Sequence, residues 1–233
     1  MRYAFFDVGG TLIEPYPSVG AIYERIGREF GLEQDQSHIE RVFRSVFTEH
    51  VRRAGDEPLA LGRDEPTTHV WWRTLVFQVF DVLGFDGDRE GLFRAYFTAF
   101  EDPSAWRVHD DVFPTLSTLR DRGIGMGIIS NWDYRLPALL EQLNLSTYFD
   151  EALISFREGI AKPSVDLYRR ALNRVAHPAH AIRYVGDHVD LDLEPARAVG
   201  MDAYIVDREG ASAGEPRVVH SLSALLPDSE AGG

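Results

Sequence analysis

Short apolar runs that stop at an acidic or small polar residue recur along this chain, and after residue 103 segments with helical spacing separate them. The first run, Arg2 to Val8, carries Tyr3, Ala4, Phe5 and Phe6 into Asp7, with Gly9 and Gly10 behind it. It reads as a buried strand followed by a tight turn. From Pro17 to about Asp102 the period changes. Ile22, Ile26 and Phe30 are spaced by four, as are Val42 and Val46, and Trp71, Trp72, Leu75, Val76 and Val79 continue the pattern into Leu92, Phe93, Tyr96, Phe97 and Phe100. This block predicts helices and no strand. Beyond it the spacing predicts helices over 112–122, 134–143, 163–175 and 193–199, and strands over 124–129, 152–154, 182–185 and 203–206. Residues from Pro227 onward read as a frayed end.

Strands that alternate with helices imply a parallel sheet covered on both faces, because parallel neighbours need crossover connections. In such sheets ligands bind beyond the carboxyl ends of the strands. Asp7, Ser130 and Asp187 each fall at such an end, so three loops distant in sequence are expected to meet in one pocket. The helical block enters directly after the first of them and is expected to lie over the pocket as an inserted cap.

Composition narrows the chemistry. The chain has 233 residues, enough for one large domain or a core with a smaller insert. Its net charge of −13 opposes binding to nucleic acid or to an anionic membrane. Cysteine is absent, which removes disulfides, thiolate metal sites and a Cys nucleophile. No apolar run approaches a membrane span and no targeting segment is evident, so a cytoplasmic location is expected. Lys162 is the one lysine among 24 basic residues. In an arginine-rich chain that choice points to a site needing a compact ammonium, able to sit between carboxylates where a planar guanidinium would not fit.

In chain order the motifs Asp7-Val-Gly-Gly-Thr-Leu12, Ile129-Ser-Asn131, Ala161-Lys-Pro163 and Gly186-Asp-His-Val-Asp-Leu-Asp192 resemble the haloacid dehalogenase superfamily, most of whose members are phosphatases. Trp71-Trp72 is similar to the branch of human-type dehalogenase-like hydrolase domain proteins. The resemblance implies a Rossmann-like, doubly wound α/β core over residues 1–15 and 104–233, with an all-α cap over 16–103. It also implies Mg²⁺ and a covalent aspartyl intermediate. On that basis Asp7 is the candidate nucleophile, since a carboxylate can split phosphoryl hydrolysis into two steps. Asp7, Asp187 and the Gly9 carbonyl are the expected metal ligands, with Asp192 behind them. Thr11, Ser130, Asn131 and Lys162 are expected on the transferred group, which implies a small, phosphorylated substrate.

One position departs from the family. Its phosphatases carry a second Asp two residues after the nucleophile, as acid and base; here that residue is Gly9. Such a group is worth about 10²- to 10⁴-fold in rate. His188 and Asp133 are the candidates to stand in for it. Three readings follow: a phosphohydrolase for good leaving groups, a metal-independent 2-haloacid dehalogenase, or a catalytically weak ligand-binding module. Arginines of the cap, with Asn131 and Lys162, support the second. A Schiff-base phosphonate hydrolase is disfavoured because the cap has no lysine.

Overall fold

The computed structural model describes residues 1–54, 64–208, 210 and 217–226, so the expected fraying from Pro227 lies outside the described residues. In chain order the strands and helices are β1 Tyr3–Phe6, β2 Ile13–Pro15, α1 Val19–Gly27, α2 Gln36–Ala54, α3 Glu65–Leu83 and α4 Arg89–Ala99. They continue with β3 Trp106–Val108, α5 Val112–Asp121, β4 Gly125–Ser130, α6 Leu136–Gln142, β5 Glu151–Ile154, α7 Ser155–Glu158 and α8 Val165–Arg174. The last are β6 Ile182–Gly186, α9 Glu194–Ala198, β7 Asp202–Val206 and β8 Val218–Val219.

Six strands form one parallel sheet in the order β5-β4-β1-β6-β7-β8. In β1 alternate side chains point to opposite faces. Ala4 and Phe6 join Val112, Leu116 and Leu139 on one face, and Tyr3 and Phe5 join Leu167, Tyr168 and Ala171 on the other. Burial on both sides is why the run is apolar without alternation.

The helices α1–α4 pack on a second apolar cluster of their own, with Ile22, Leu75, Phe80, Leu92 and Tyr96 at its centre. Local signals set their ends. Ser18 caps α1 by accepting from the Ala21 N–H, Asp64 and Thr67 form a reciprocal box at the start of α3, and Gly84 closes α3 in the left-handed region at φ 68°. Chain enters and leaves this helical layer through β2 and β3, an antiparallel ribbon in which Arg107 Nε donates to Glu14 at 2.9 Å. The sequence reading has no counterpart to this ribbon or to β8; two or three residues are too short to show a period.

Asp111, before α5, ties the carboxyl-terminal segment to the core. It accepts from both Arg208 Nη atoms (3.0 and 3.3 Å), from the Ser221 hydroxyl (2.8 Å) and from the Leu222 N–H (2.7 Å). Burial works against its charge, but Arg208, Leu222 and Ser221 prevail and hold its carboxyl below the ordinary value. A folded-state pKa below the unfolded one gives stability that is present above about pH 4 and lost as pH falls through the folded-state value. Asp111→Asn is therefore expected to cost about 1.5–3 kcal/mol at pH 7. In urea unfolding the deficit relative to the parent protein should shrink at pH 3.

Candidate active site

The neighbouring strands β4, β1 and β6 end side by side, and three of the expected site residues stand at those ends. Asp7 follows β1, and its N–H donates to the Val185 carbonyl of β6 at 2.8 Å. Ser130 is the last residue of β4, and Asp187 follows Gly186 at the end of β6. Two glycines permit the close approach. A Cβ at Gly10, whose φ is +73°, would lie 2.1 Å from Asp187 Oδ2, and one at Gly186 would lie 2.2 Å from the Asp192 carboxyl carbon. The turn after Asp7 and the acidic loop after β6 thus touch with nothing between them.

Lys162 sits at the centre, only 3% exposed, with Nζ 2.8 Å from Asp7 Oδ1 and 2.7 Å from Asp192 Oδ1. Burial disfavours its charge, yet Asp192 and then Asp7 outweigh that and keep the ammonium above its ordinary pKa. The Asn131 amide fixes the lysine's backbone from both sides, its Nδ2 donating to the Lys162 carbonyl at 3.0 Å and its Oδ1 accepting the Lys162 N–H at 2.8 Å. Tyr184 Oη donates to Asp192 Oδ1 at 2.6 Å, and the His188 N–H donates to Asp192 Oδ2 at 3.0 Å. Asp192 lies in a single π-helical turn, Val189–Leu193, that presents its carboxylate inward.

Carboxylate oxygens of Asp7, Asp187 and Asp192 all lie within 4.8 Å of one another. Burial raises the Asp7 carboxyl against the pull of Lys162, and Asp192 adds to the rise; Ser130 and Lys162 hydrogen-bond to it. Solvent reaches Asp187, but the protein around it, and next the charges of Asp7 and Asp192, push its carboxyl well above the ordinary value. With all three carboxylates ionised, one ammonium leaves two uncompensated negative charges, the charge of one divalent cation. All-oxygen donors of this kind fit a hard ion such as Mg²⁺.

Above this cluster a cavity of about 420 Å³ opens between the sheet and the helical layer. Its floor holds Asp7, Gly9, Ser130, Asn131, Lys162, Asp187 and His188, and its walls are largely aromatic. Several expectations change here. Thr11, expected on the transferred group, is fully buried and is not part of the cavity wall; its hydroxyl has no partner, and its carbonyl accepts from Arg208 at 2.8 Å. Asn131 reaches the wall, while the Oδ1 and one N–H of its amide engage the backbone of Lys162.

Asp133 is unsuited to replace the missing acid and base. Its Oδ1 accepts from Arg135 N and Nε, both at 3.0 Å, and its Oδ2 accepts from Arg135 Nη2 at 2.7 Å and Trp72 Nε1 at 2.9 Å. Those four donors fill its acceptor sites, so it serves to join the loop after β4 to α3. His188 remains exposed at the cavity floor. Among the described residues no arginine of α1–α4 lines the cavity, whereas Asn131 and Lys162, the other groups expected to favour a haloacid, do.

Sequence reasoning missed Tyr184, Trp132 and the Trp72–Asp133–Arg135 junction. A tyrosine in the middle of β6, Ile182-Arg-Tyr-Val-Gly186, was the signal for the first. Trp132, directly after Ser130-Asn131, was the signal for the second.

A parallel sheet whose loops gather a buried Asp–Lys–Asp group beneath a helical layer defines a class of α/β hydrolase. A family model for haloacid dehalogenase-like hydrolases matches residues 1–200, and the chain belongs to that family. It is 30% identical over 237 aligned residues to haloacid dehalogenase-like hydrolase domain-containing protein 3 of Homo sapiens, covering 97% of this chain and 93% of that one. Among solved structures it resembles a dehalogenase determined as an intermediate complex (TM-score 0.74, 22% identity, 97% and 95% coverage). It also resembles a HAD phosphatase of Thermococcus onnurineus (TM-score 0.63, 23% identity, 97% and 96% coverage). The same fold serves both chemistries, so the reaction has to be argued from the side chains. No described helix is long and apolar enough to cross a membrane.

Proposed function

We propose that this hydrolase is a Mg²⁺-dependent phosphohydrolase working through an aspartyl-phosphate on Asp7, with residues 16–103 as its cap. The observation that carries this reading is the double negative excess among Asp7, Asp187, Asp192 and Lys162. A metal-independent enzyme gains nothing from holding Asp187 against Asp7 at the cost that their raised pKa values express. Asp7 and Asp187, with the Gly9 carbonyl, would hold Mg²⁺, which would supply the positive charge that lets an anionic carboxylate approach an anionic phosphoryl group.

The chain's own groups do the rest. The free oxygen of Asp7 attacks phosphorus while Lys162, anchored by Asp192, keeps Asp7 ionised and spreads charge from the phosphoryl oxygens. Ser130 donates to the same oxygens. The leaving group departs, and water then attacks phosphorus, releasing phosphate and restoring Asp7. With Gly9 in place of an acid, departure without protonation favours good leaving groups.

The test is hydrolysis of acetyl phosphate with Mg²⁺ and with EDTA, beside chloride release from 2-chloropropionate. Phosphate release is expected to fall at least about 10²-fold in EDTA, the equivalent of a few kcal/mol of charge stabilisation. Chloride release that persists in EDTA, with acetyl phosphate untouched, would overturn the assignment.

A further inference from the structure

We propose that the cavity selects phosphate compounds whose leaving group is a flat, apolar, weakly basic oxyanion, and that Trp132 is the residue that fixes this choice. The inference rests on the phosphohydrolase reading and goes on to name the substrate class.

The first observation is the environment of Gly9. A Cβ at this position would meet the Trp132 ring, at Cζ3, at 3.3 Å. The indole therefore stands over the position from which an acid two residues after the nucleophile would act. It is held there. The Trp132 N–H donates to Ser155 Oγ and the Ser155 hydroxyl donates back to the Trp132 carbonyl, each at 3.1 Å, and the Trp106 ring packs against it at 5.2 Å between centroids. An apolar ring in place of a proton donor suits a leaving group that needs no proton.

The second observation is the rest of the cavity. Its upper wall presents Tyr23, Phe47, Trp71, Trp72 and Phe93. Among the described residues its two Lys or Arg cations are already engaged: Lys162 by Asp7 and Asp192, and Arg135 by Asp133. A sugar phosphate would bury hydroxyls with few partners, and a second phosphate or carboxylate would find neither of these cations free, each at a desolvation cost. A ring would lie against the aromatic walls. The volume of about 420 Å³ lies within the ordinary range for small-ligand sites.

The chemistry balances without a protein acid. Asp7 Oδ bonds to phosphorus as the phosphorus–oxygen bond to the ring breaks, and the electron pair leaves on a phenolate stabilised by its own ring. Water then bonds to phosphorus as the Asp7–phosphorus bond breaks, leaving hydrogen phosphate and one proton that passes to solvent.

The experiment compares 4-nitrophenyl phosphate, phenyl phosphate, acetyl phosphate and glycerol phosphate, all with Mg²⁺. For the parent protein kcat/KM for 4-nitrophenyl phosphate is expected to exceed that for glycerol phosphate by at least about 10²-fold, the usual worth of the missing acid. Phenyl phosphate should fall between them. Trp132→Ala should raise KM for 4-nitrophenyl phosphate about 2- to 10-fold, the worth of one aromatic pair, and Trp132→Phe should raise it less. The phenylalanine variant carries this comparison should the alanine variant fail to fold. Acetyl phosphate separates the two claims. If it is hydrolysed but glycerol phosphate matches 4-nitrophenyl phosphate within tenfold, or neither Trp132 variant alters KM, the leaving-group proposal fails and the phosphohydrolase reading stands. If no compound is hydrolysed, both fail.

Discussion

Lys162→Met is expected to destabilise the protein by about 3–5 kcal/mol, the usual penalty for removing one partner of a buried ion pair. At roughly 2–4 °C per kcal/mol for a chain of this size, that is a fall in Tm of about 6–20 °C. The side chains are nearly isosteric, so packing contributes little of this. What is lost is the charge between Asp7 (6% exposed) and Asp192 (1% exposed), two carboxylates that then face each other with the neutral donors of Ser130, Tyr184 and the backbone to receive them. The double variant Lys162→Met, Asp192→Asn should recover much of the deficit, because neutralising the deeper carboxylate removes the repulsion. Thermal and urea unfolding in EDTA would measure both. A loss below about 1 kcal/mol, or a double variant less stable than the single one, would show that the lysine is not the electrostatic keystone of the loops.

Asp7→Asn is expected to have the opposite pattern. Removing a covalent nucleophile costs on the order of 10⁶ in turnover where it has been measured in other enzymes. Stability in EDTA should hold or rise, because burial and Asp192 already disfavour the charge on Asp7. A variant that loses activity while gaining stability marks a group kept for chemistry at the expense of the fold. Residual turnover within about tenfold of the parent protein would move the nucleophile elsewhere.

What the sequence disclosed, and what it concealed, divides along physical lines. Asp7, Ser130 and Asp187 were legible because a buried parallel strand is a continuous apolar run, and its end is marked by the first polar residue or glycine. Lys162 was legible from composition taken together with the motifs around Asp7, Ser130, Asp187 and Asp192. Five of the six strands of the sheet followed from the alternation of segments, and the second apolar cluster in α1–α4 from its helical spacing.

Around Trp132 the sequence fell short for one reason: it gives a side chain's donors and acceptors but not which are already taken. Asn131 and Asp133 flank Trp132 in the same short loop; the first looked available for substrate and the second as a stand-in acid and base. In the fold, the amide of Asn131 is engaged with the Lys162 backbone, 31 positions away, and the carboxylate of Asp133 with Arg135 and with Trp72, 61 positions away. Thr11 is a different case: its hydroxyl has no partner, and burial away from the cavity wall is what sets it apart. Trp132 itself carried no periodic signal, because its role depends on the absence of a side chain at Gly9, 123 residues earlier.

The central claim is that Asp7 takes up the phosphoryl group, and trapping it is the most direct test. Protein turning over acetyl phosphate with Mg²⁺ would be quenched in acid, digested and mapped by mass spectrometry. The account predicts a hydroxylamine-labile phosphoryl adduct on the peptide carrying Asp7, absent when EDTA is added beforehand. Turnover with no adduct, or an adduct on any other residue, would contradict it.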